Sequence, residues 1–141
     1  MAEALGVAGS VIAIVDVSAK ITKLCSKYYK EVRDARESIN NLQGRASQLK
    51  DTLERLDKLV NGKDGATLKT SKPLQDSLTS CLNRLQEVVT KLEMGQSQRS
   101  MRRFGRRAFE WPFKADQLKT IIGEIDSCQG TFNLALDVEQ M

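Results

Sequence analysis

From Ile21 to Val60 the apolar residues fall in alternating steps of four and three: Ile21, Cys25, Tyr28, Val32, Ala35, Ile39, Leu42, Ala46, Leu49, Leu53, Leu56 and Val60. An α-helix turns once every 3.6 residues, so this spacing lines one helical face. A strand would alternate with period two, and no useful length of the chain does so. One unbroken helix of that length would not make a compact domain of 141 residues. A turn is therefore expected within Lys27 to Asp34, although no Gly or Pro marks it.

The same reasoning sets the other elements. Ala2 to about Ser26 reads as a first helix, and Asn61-Gly62-Lys63-Asp64-Gly65 reads as a stop and loop. Ser71, followed by Lys72-Pro73, suits a cap and first turn. The stripe that follows is Leu74, Leu78, Cys81, Leu82, Leu85, Val88, Val89 and Leu92, with Gly95 expected to close it. Met101, Phe104 and Ala108 fit one short amphipathic helix, and a final stripe runs through Leu118, Ile121, Ile122, Ile125, Cys128, Phe132, Ala135 and Leu136. The expected architecture is all-α: a single domain over 1–141, an up-down four-helix bundle with a short extra helix before the last helix. The helices are expected at about 2–27, 33–61, 71–95 and 115–139, and the short one at about 98–108.

Composition narrows the chemistry. The chain is 40% apolar and 28% charged, which suits a packed helical domain rather than a disordered one. It has no His, so a Ser or Cys nucleophile lacks its usual base. There is no Gly-rich phosphate loop with its Lys, no dinucleotide fingerprint and no metalloprotease motif. No enzyme, cofactor or metal site is expected. Cys25, Cys81 and Cys128 are odd in number, far apart and each on an apolar stripe, which reads as small buried residues of a reducing compartment.

Two features could carry function. In the first helix, Leu5, Ala8, Ile12 and Val15 make one stripe, with Val7, Val11 and Ile14 beside it. Another stripe is small or polar: Glu3, Gly6, Ser10, Ala13, Asp16 and Lys20. The small-residue spacing permits close helix approach, in protein or in lipid. Such a helix either packs on its own bundle or leaves it, inserts into a membrane and oligomerises, the polar stripe facing a lumen. The uncharged run Ala4 to Val15 would span about 18 Å, against a hydrocarbon core of ~30 Å. It is short for a single-pass anchor and lacks the basic flank of a secretory signal, so a soluble resting state is the expectation. The second feature is Arg99, Arg102, Arg103, Arg106, Arg107 and Lys114, interleaved with Met101, Phe104, Phe109, Trp111 and Phe113. Basic charge beside amphipathic aromatics suits an anionic lipid surface. The same charge would attract nucleic acid, and a solvated basic loop whose aromatics plug the bundle is the plainest alternative. The long heptad stripe itself is read as intramolecular packing, with an intermolecular coiled coil as the other possibility.

Three stretches resemble fungal HeLo-like (HELL) domains. They are Met1-Ala2-Glu3-Ala4-Leu5-Gly6-Val7-Ala8-Gly9-Ser10-Val11-Ile12-Ala13, then Arg103-Phe104-Gly105-Arg106-Arg107-Ala108 with Trp111-Pro112-Phe113-Lys114, and the closing Leu134 to Gln140. The resemblance implies a cell-death execution domain, similar to the four-helix bundle of mixed lineage kinase domain-like protein. It implies a membrane-targeting, pore-forming effector that acts after oligomerisation by releasing its N-terminal helix. Glu3, Leu5, Val7, Val11, Ile12, Ile14 and Val15 would form the membrane-active element. Arg99, Arg102, Arg103, Arg106, Arg107 and Lys114 are the candidate contacts to lipid head groups. The partners it implies are anionic membrane lipids, further copies of the chain and an upstream signalling partner with a nucleotide-binding or amyloid motif; nucleic acid is not among them. The location it implies is cytoplasmic at rest and the plasma membrane when activated. The chain stops at Met141, right after the last helix, which on this reading means either an excised domain or a missing trigger. The alternative is a non-enzymatic helical adaptor that presents a surface to partner proteins.

Overall fold

The computed structural model describes residues 6–62, 66–101 and 111–140. Its elements are α1 (Val7–Glu31), α2 (Arg36–Val60), the single turn α3 (Ala66–Lys69), α4 (Lys72–Met101) and α5 (Ala115–Gln140). Among the described residues there are four long helices and no strand. The all-α four-helix bundle expected from the stripes is the fold.

The stripes are the core. Ile21, Cys25, Tyr28 and Val32 are buried, as are Ile39, Leu42, Ala46, Leu49, Leu53, Leu56 and Val60 on α2. Every residue of the α4 stripe is buried too, and α5 adds Leu118, Ile121, Ile125, Phe132 and Leu136. The break between the first two helices falls at Val32–Ala35, overlapping the late part of the expected window and passing it by one residue, so α1 runs about four residues further than expected. Val32 turns extended (φ −114°, ψ 115°) while its N–H still bonds to the Tyr28 carbonyl. No residue in the described chain has a left-handed φ, so this turn requires neither Gly nor Pro. Buried Val32 anchors it from inside, and the Arg36 guanidinium covers the Tyr29 ring at 4.5 Å from outside.

Three boundaries differ from expectation. Gly95 does not end its helix: α4 continues to Met101, with Gly95 buried within it. A Gly costs only about 1 kcal/mol in a helix interior, too little to stop a helix whose preceding turn is packed. The short helix expected at 98–108 therefore begins as the end of α4, and its remainder lies outside the described residues. The single turn α3, unforeseen, seats Leu68 in the core. Ser71 does cap α4, its Oγ accepting the Leu74 N–H at 3.2 Å.

Chain direction follows from the contacts. The four-residue turn at Val32–Ala35 sends α2 back along α1, so these two run antiparallel, and Gln43 on α2 reaches Thr22 and Ser26 on α1. Ser10 meets Gln75, and Tyr28 meets Leu92, so α1 and α4 run parallel. Arg45 meets Asp126 and Thr52 meets Gln129, so α2 and α5 are also parallel. Directions alternate along the chain as an up-down bundle requires, but α2 and α4 stand across the diagonal, joined by the segment that contains α3. The order around the bundle is α1, α2, α5, α4, and the α4–α5 seam is the least packed of the four.

The helical phase of α1 explains an odd core residue. Stepping back from Ile21 by threes and fours gives Ser18, Ile14, Val11 and Val7, all buried. Ser18 is thus carried into the core, where its Oγ has no hydrogen-bond partner. Removing a buried unpartnered hydroxyl recovers its desolvation cost, so Ser18→Ala is expected to raise unfolding stability by about 1 kcal/mol. Gly44 is exposed in mid-α2, and a Cβ there would meet nothing within 4 Å; Gly44→Ala should add about 0.5–1 kcal/mol. Leu53→Ala, in contrast, should cost about 2–5 kcal/mol. Urea midpoints test all three. A Ser18→Ala protein no more stable than the parent would mean that water or a neighbour satisfies that hydroxyl.

Candidate functional site

The proposed membrane-active helix is a wall of the bundle. Val7 is 2% exposed, and Val11 and Ile14 are fully buried. Val15 is half-buried against the core, whereas Ile12 is 50% exposed. This corrects the expected stripe. The fully buried face is Val7, Val11 and Ile14; Ala8 and Val15 pack at its edge, and of the expected stripe only Ile12 among the described residues points outward. The reason is that Ile21, Cys25 and Tyr28 fix the rotation of a continuous helix, and Ile12 then falls outside. Glu3 and Leu5 lie outside the described residues.

Ser10 also differs from expectation. Instead of lying on a stripe free to face a lumen, it is 1% exposed and accepts a hydrogen bond from Gln75 Nε2 on α4 at 3.1 Å. Gly6, Asp16 and Lys20 do stand exposed on that side, where Lys20 pairs with Glu93 at 2.8 Å. That pair is about half exposed on each partner, so it adds little to stability. Gln43 Nε2 donates from α2 to the Thr22 carbonyl at 2.9 Å and to Ser26 Oγ at 2.8 Å. A polar clasp thus lines both sides of α1. Sequence reading missed Gln43 and Gln75, because a lone Gln on a helix carries no signal until its facing helix is known.

The far end of α1 is held more firmly. Tyr28 is fully buried, and its hydroxyl donates to the Leu92 carbonyl of α4 at 2.6 Å. Trp111 meets the Tyr28 ring edge-on at 5.3 Å between centroids, and Phe113 meets Trp111 at 5.2 Å. Trp111 and Phe113 thus close this end of the bundle, as one reading of the sequence anticipated. Burial pushes the Tyr28 hydroxyl up, with Cys25 adding to it, and pushes the Cys25 thiol up to about 12. Neither group ionises near neutral pH.

Of the basic candidates, Lys114 is exposed just before α5, where its N–H donates to Gln117 Oε1 at 2.9 Å. Arg99 falls in the last turns of α4. Arg102, Arg103, Arg106 and Arg107 lie outside the described residues. Lys114 stands at the Tyr28 end of the bundle, and Val7 at the other, about 32 Å away along α1 by helical rise. The two candidate features are therefore not one site.

Between α4 and the start of α5 lies a cleft of about 230 Å³, lined by apolar Val88, Phe113 and Ile121 together with Arg84 and Lys91. Among the described residues, no group of three or more Cys, Asp or Glu is placed to hold a metal ion. No described helix is long and apolar enough to cross a membrane.

No curated protein matches the chain, and no solved structure does. One family model does, described as pigment biosynthesis cluster protein PigL N-terminal, and it covers residues 2–141. No HeLo-like family model matches, so the HeLo-like features remain a resemblance of particular stretches. Because that model covers nearly the whole chain, the chain belongs to the family of PigL N-terminal domains.

Proposed function

We propose that this domain is a non-enzymatic, membrane-targeting effector module that is inactive while α1 is packed. Oligomerisation releases the start of α1 for insertion and pore formation, in the manner of a cell-death executioner. One observation carries the reading: the residues that would enter lipid, Val7, Val11 and Ile14, are the ones that the bundle buries. Membrane affinity and self-inhibition then reside in the same side chains. Exposing those three to water costs roughly 5–9 kcal/mol, which keeps the resting form closed. Hydrocarbon returns most of that, since lipid tails are about as apolar as a protein core.

The seam of α1 favours the same reading. Ser10 and Ser18 occupy core positions that aliphatic residues would hold more tightly. Clustering by an upstream nucleotide-binding or amyloid-forming partner raises the local concentration of copies and shifts the balance toward the released form. The basic stretch from Arg99 to Lys114 supplies attraction to anionic lipid at about 1 kcal/mol per cation near the surface. The resting location is the cytoplasm and the active one the plasma membrane. The family description names a biosynthetic cluster and no activity.

The second reading, a helical adaptor, is favoured by the Tyr28–Leu92 bond and by the way α1 is wedged between α2 and α4. In that case α1 never leaves.

Ile12 separates the two readings. Because it is half exposed, Ile12→Asp should leave the melting temperature nearly unchanged. Carrying its carboxylate into hydrocarbon costs about 2.5–3.5 kcal/mol, so insertion should fall on the order of a hundredfold. Protein clustered through a fused dimerising module is expected to release dye from anionic vesicles, and less from neutral ones. Trp111, the sole Trp, sits on Tyr28 at the end that stays packed, so its fluorescence should hold steady while the start of α1 opens and should change only if the whole helix loosens. Equal leakage by parent and Ile12→Asp, or no leakage by the clustered parent, would leave the adaptor.

A further inference from the structure

Cys81 and Cys128, far apart in the chain, face each other across the α4–α5 seam. The antiparallel register of the two helices puts them there. Arg84 pairs with Glu124, its Nη2 lying 2.8 Å from Glu124 Oε2. One turn back along α4 from Arg84 is Cys81, and one turn forward along α5 from Glu124 is Cys128. In the other direction, Val88 and Lys91 share a cleft with Ile121 and Gln117, which continues the register. The register sets the two thiols side by side, near enough for a hydrogen bond between them to shift both in pKa. Both are reduced; Cys81 is buried and Cys128 only half-buried. Cys25, the third thiol, is fully buried on α1 and belongs to no such pair in the register.

We propose that Cys81 and Cys128 are a redox-sensitive pair that closes into an intramolecular disulfide on exposure to a peroxide, clamping α4 to α5. A disulfide forms between cysteines whose backbones already lie near each other, as facing positions on one helix seam do, whereas distant ones would require backbone movement. The seam they would bridge is the least packed in the bundle, so a covalent link there changes most.

The two thiols divide the roles. The Cys81 hydrogen bond holds the Cys128 thiol below its ordinary range, against the opposing effects of burial and the Glu124 carboxylate. Cys81 is pushed well up by that same hydrogen bond and by burial. Cys128, the more accessible of the two, is the attacking thiolate. Its sulfur attacks one peroxide oxygen, the O–O bond breaks, and the departing hydroxide leaves as water with a proton. Cys128 is then a sulfenic acid. The Cys81 sulfur attacks it, the S–O bond breaks, and the released hydroxide leaves as water with the Cys81 proton. Two thiols and one hydrogen peroxide give one disulfide and two waters.

The test is a peptide map of the whole domain after treatment with hydrogen peroxide, run without reductant. The expected result is a linked pair of peptides containing Cys81 and Cys128, lighter by two hydrogens, from a protein that remains a single chain. Dithiothreitol should reverse it. The melting temperature of the oxidised form should rise by roughly 5–10 °C. Cys25→Ser should form the bridge as the parent does, and Cys128→Ser should lose both bridge and shift. A bridge that includes Cys25, a bridge between two chains, or a Cys128 oxidised to sulfinic acid with Cys81 untouched would each overturn the proposal.

Discussion

The rotation of α1 about its own axis is the constraint on which the rest depends. Ile21, Cys25 and Tyr28 are fully buried and leave a continuous helix one angle at which to meet α2 and α4. Everything upstream inherits that angle. Val7, Val11 and Ile14 pack well; Ser18 is carried in without a partner; Ser10 is carried in and has to find Gln75. Ile12 is carried out. The first helix is therefore anchored at its end, by Tyr28, and fastened more weakly toward its beginning. That gradient allows the beginning to open while the aromatic end stays closed.

The diagonal placement of α2 and α4 has a consequence for the remaining walls. With α1 packed on both α2 and α4, and α2 also on α5, the seam between α4 and α5 closes the bundle with the least packing. Its most visible link is the ion pair of Arg84 with Glu124, and both side chains are more than a third exposed. Such pairs contribute at most about 1 kcal/mol. The cleft beside Phe113 and the facing cysteines both lie on this seam. It is the place where a small chemical change has leverage on how the helices sit.

The sequence made the stripes from Ile21 onward readable, because apolar residues there are separated by charged ones and only one face can be buried. It did not reveal the phase of the first helix, where Val7, Ala8, Val11, Ile12, Ile14 and Val15 leave almost no polar residue to mark an outside. The turn at Val32–Ala35 could be bracketed but not placed, since it uses only backbone angles that any residue adopts. Gly95 pointed to a helix end that tertiary packing overrode. The meeting of Cys81 with Cys128, like that of Gln75 with Ser10, depends on the register between helices distant in the chain. No local pattern records it. Of the candidate lipid-contacting residues, only their charge and order were legible.

The charge distribution along α1 limits what a released helix could do. Its 25 residues would be about 37 Å long, ample for a bilayer. Yet Asp16, Lys20, Lys23, Lys27 and Lys30 interrupt every later turn, and no described helix reaches spanning hydropathy. Only the part up to Val15 is free of charge. A single copy would lie with its beginning in the acyl region and its lysines at the head groups, the geometry of an interfacial helix. Crossing then demands several copies that share their polar sides, with Asp16 facing water rather than hydrocarbon. On the proposed reading, assembly would serve two separate physical ends: offsetting the cost of opening the bundle, and giving the charges of α1 somewhere wet to point.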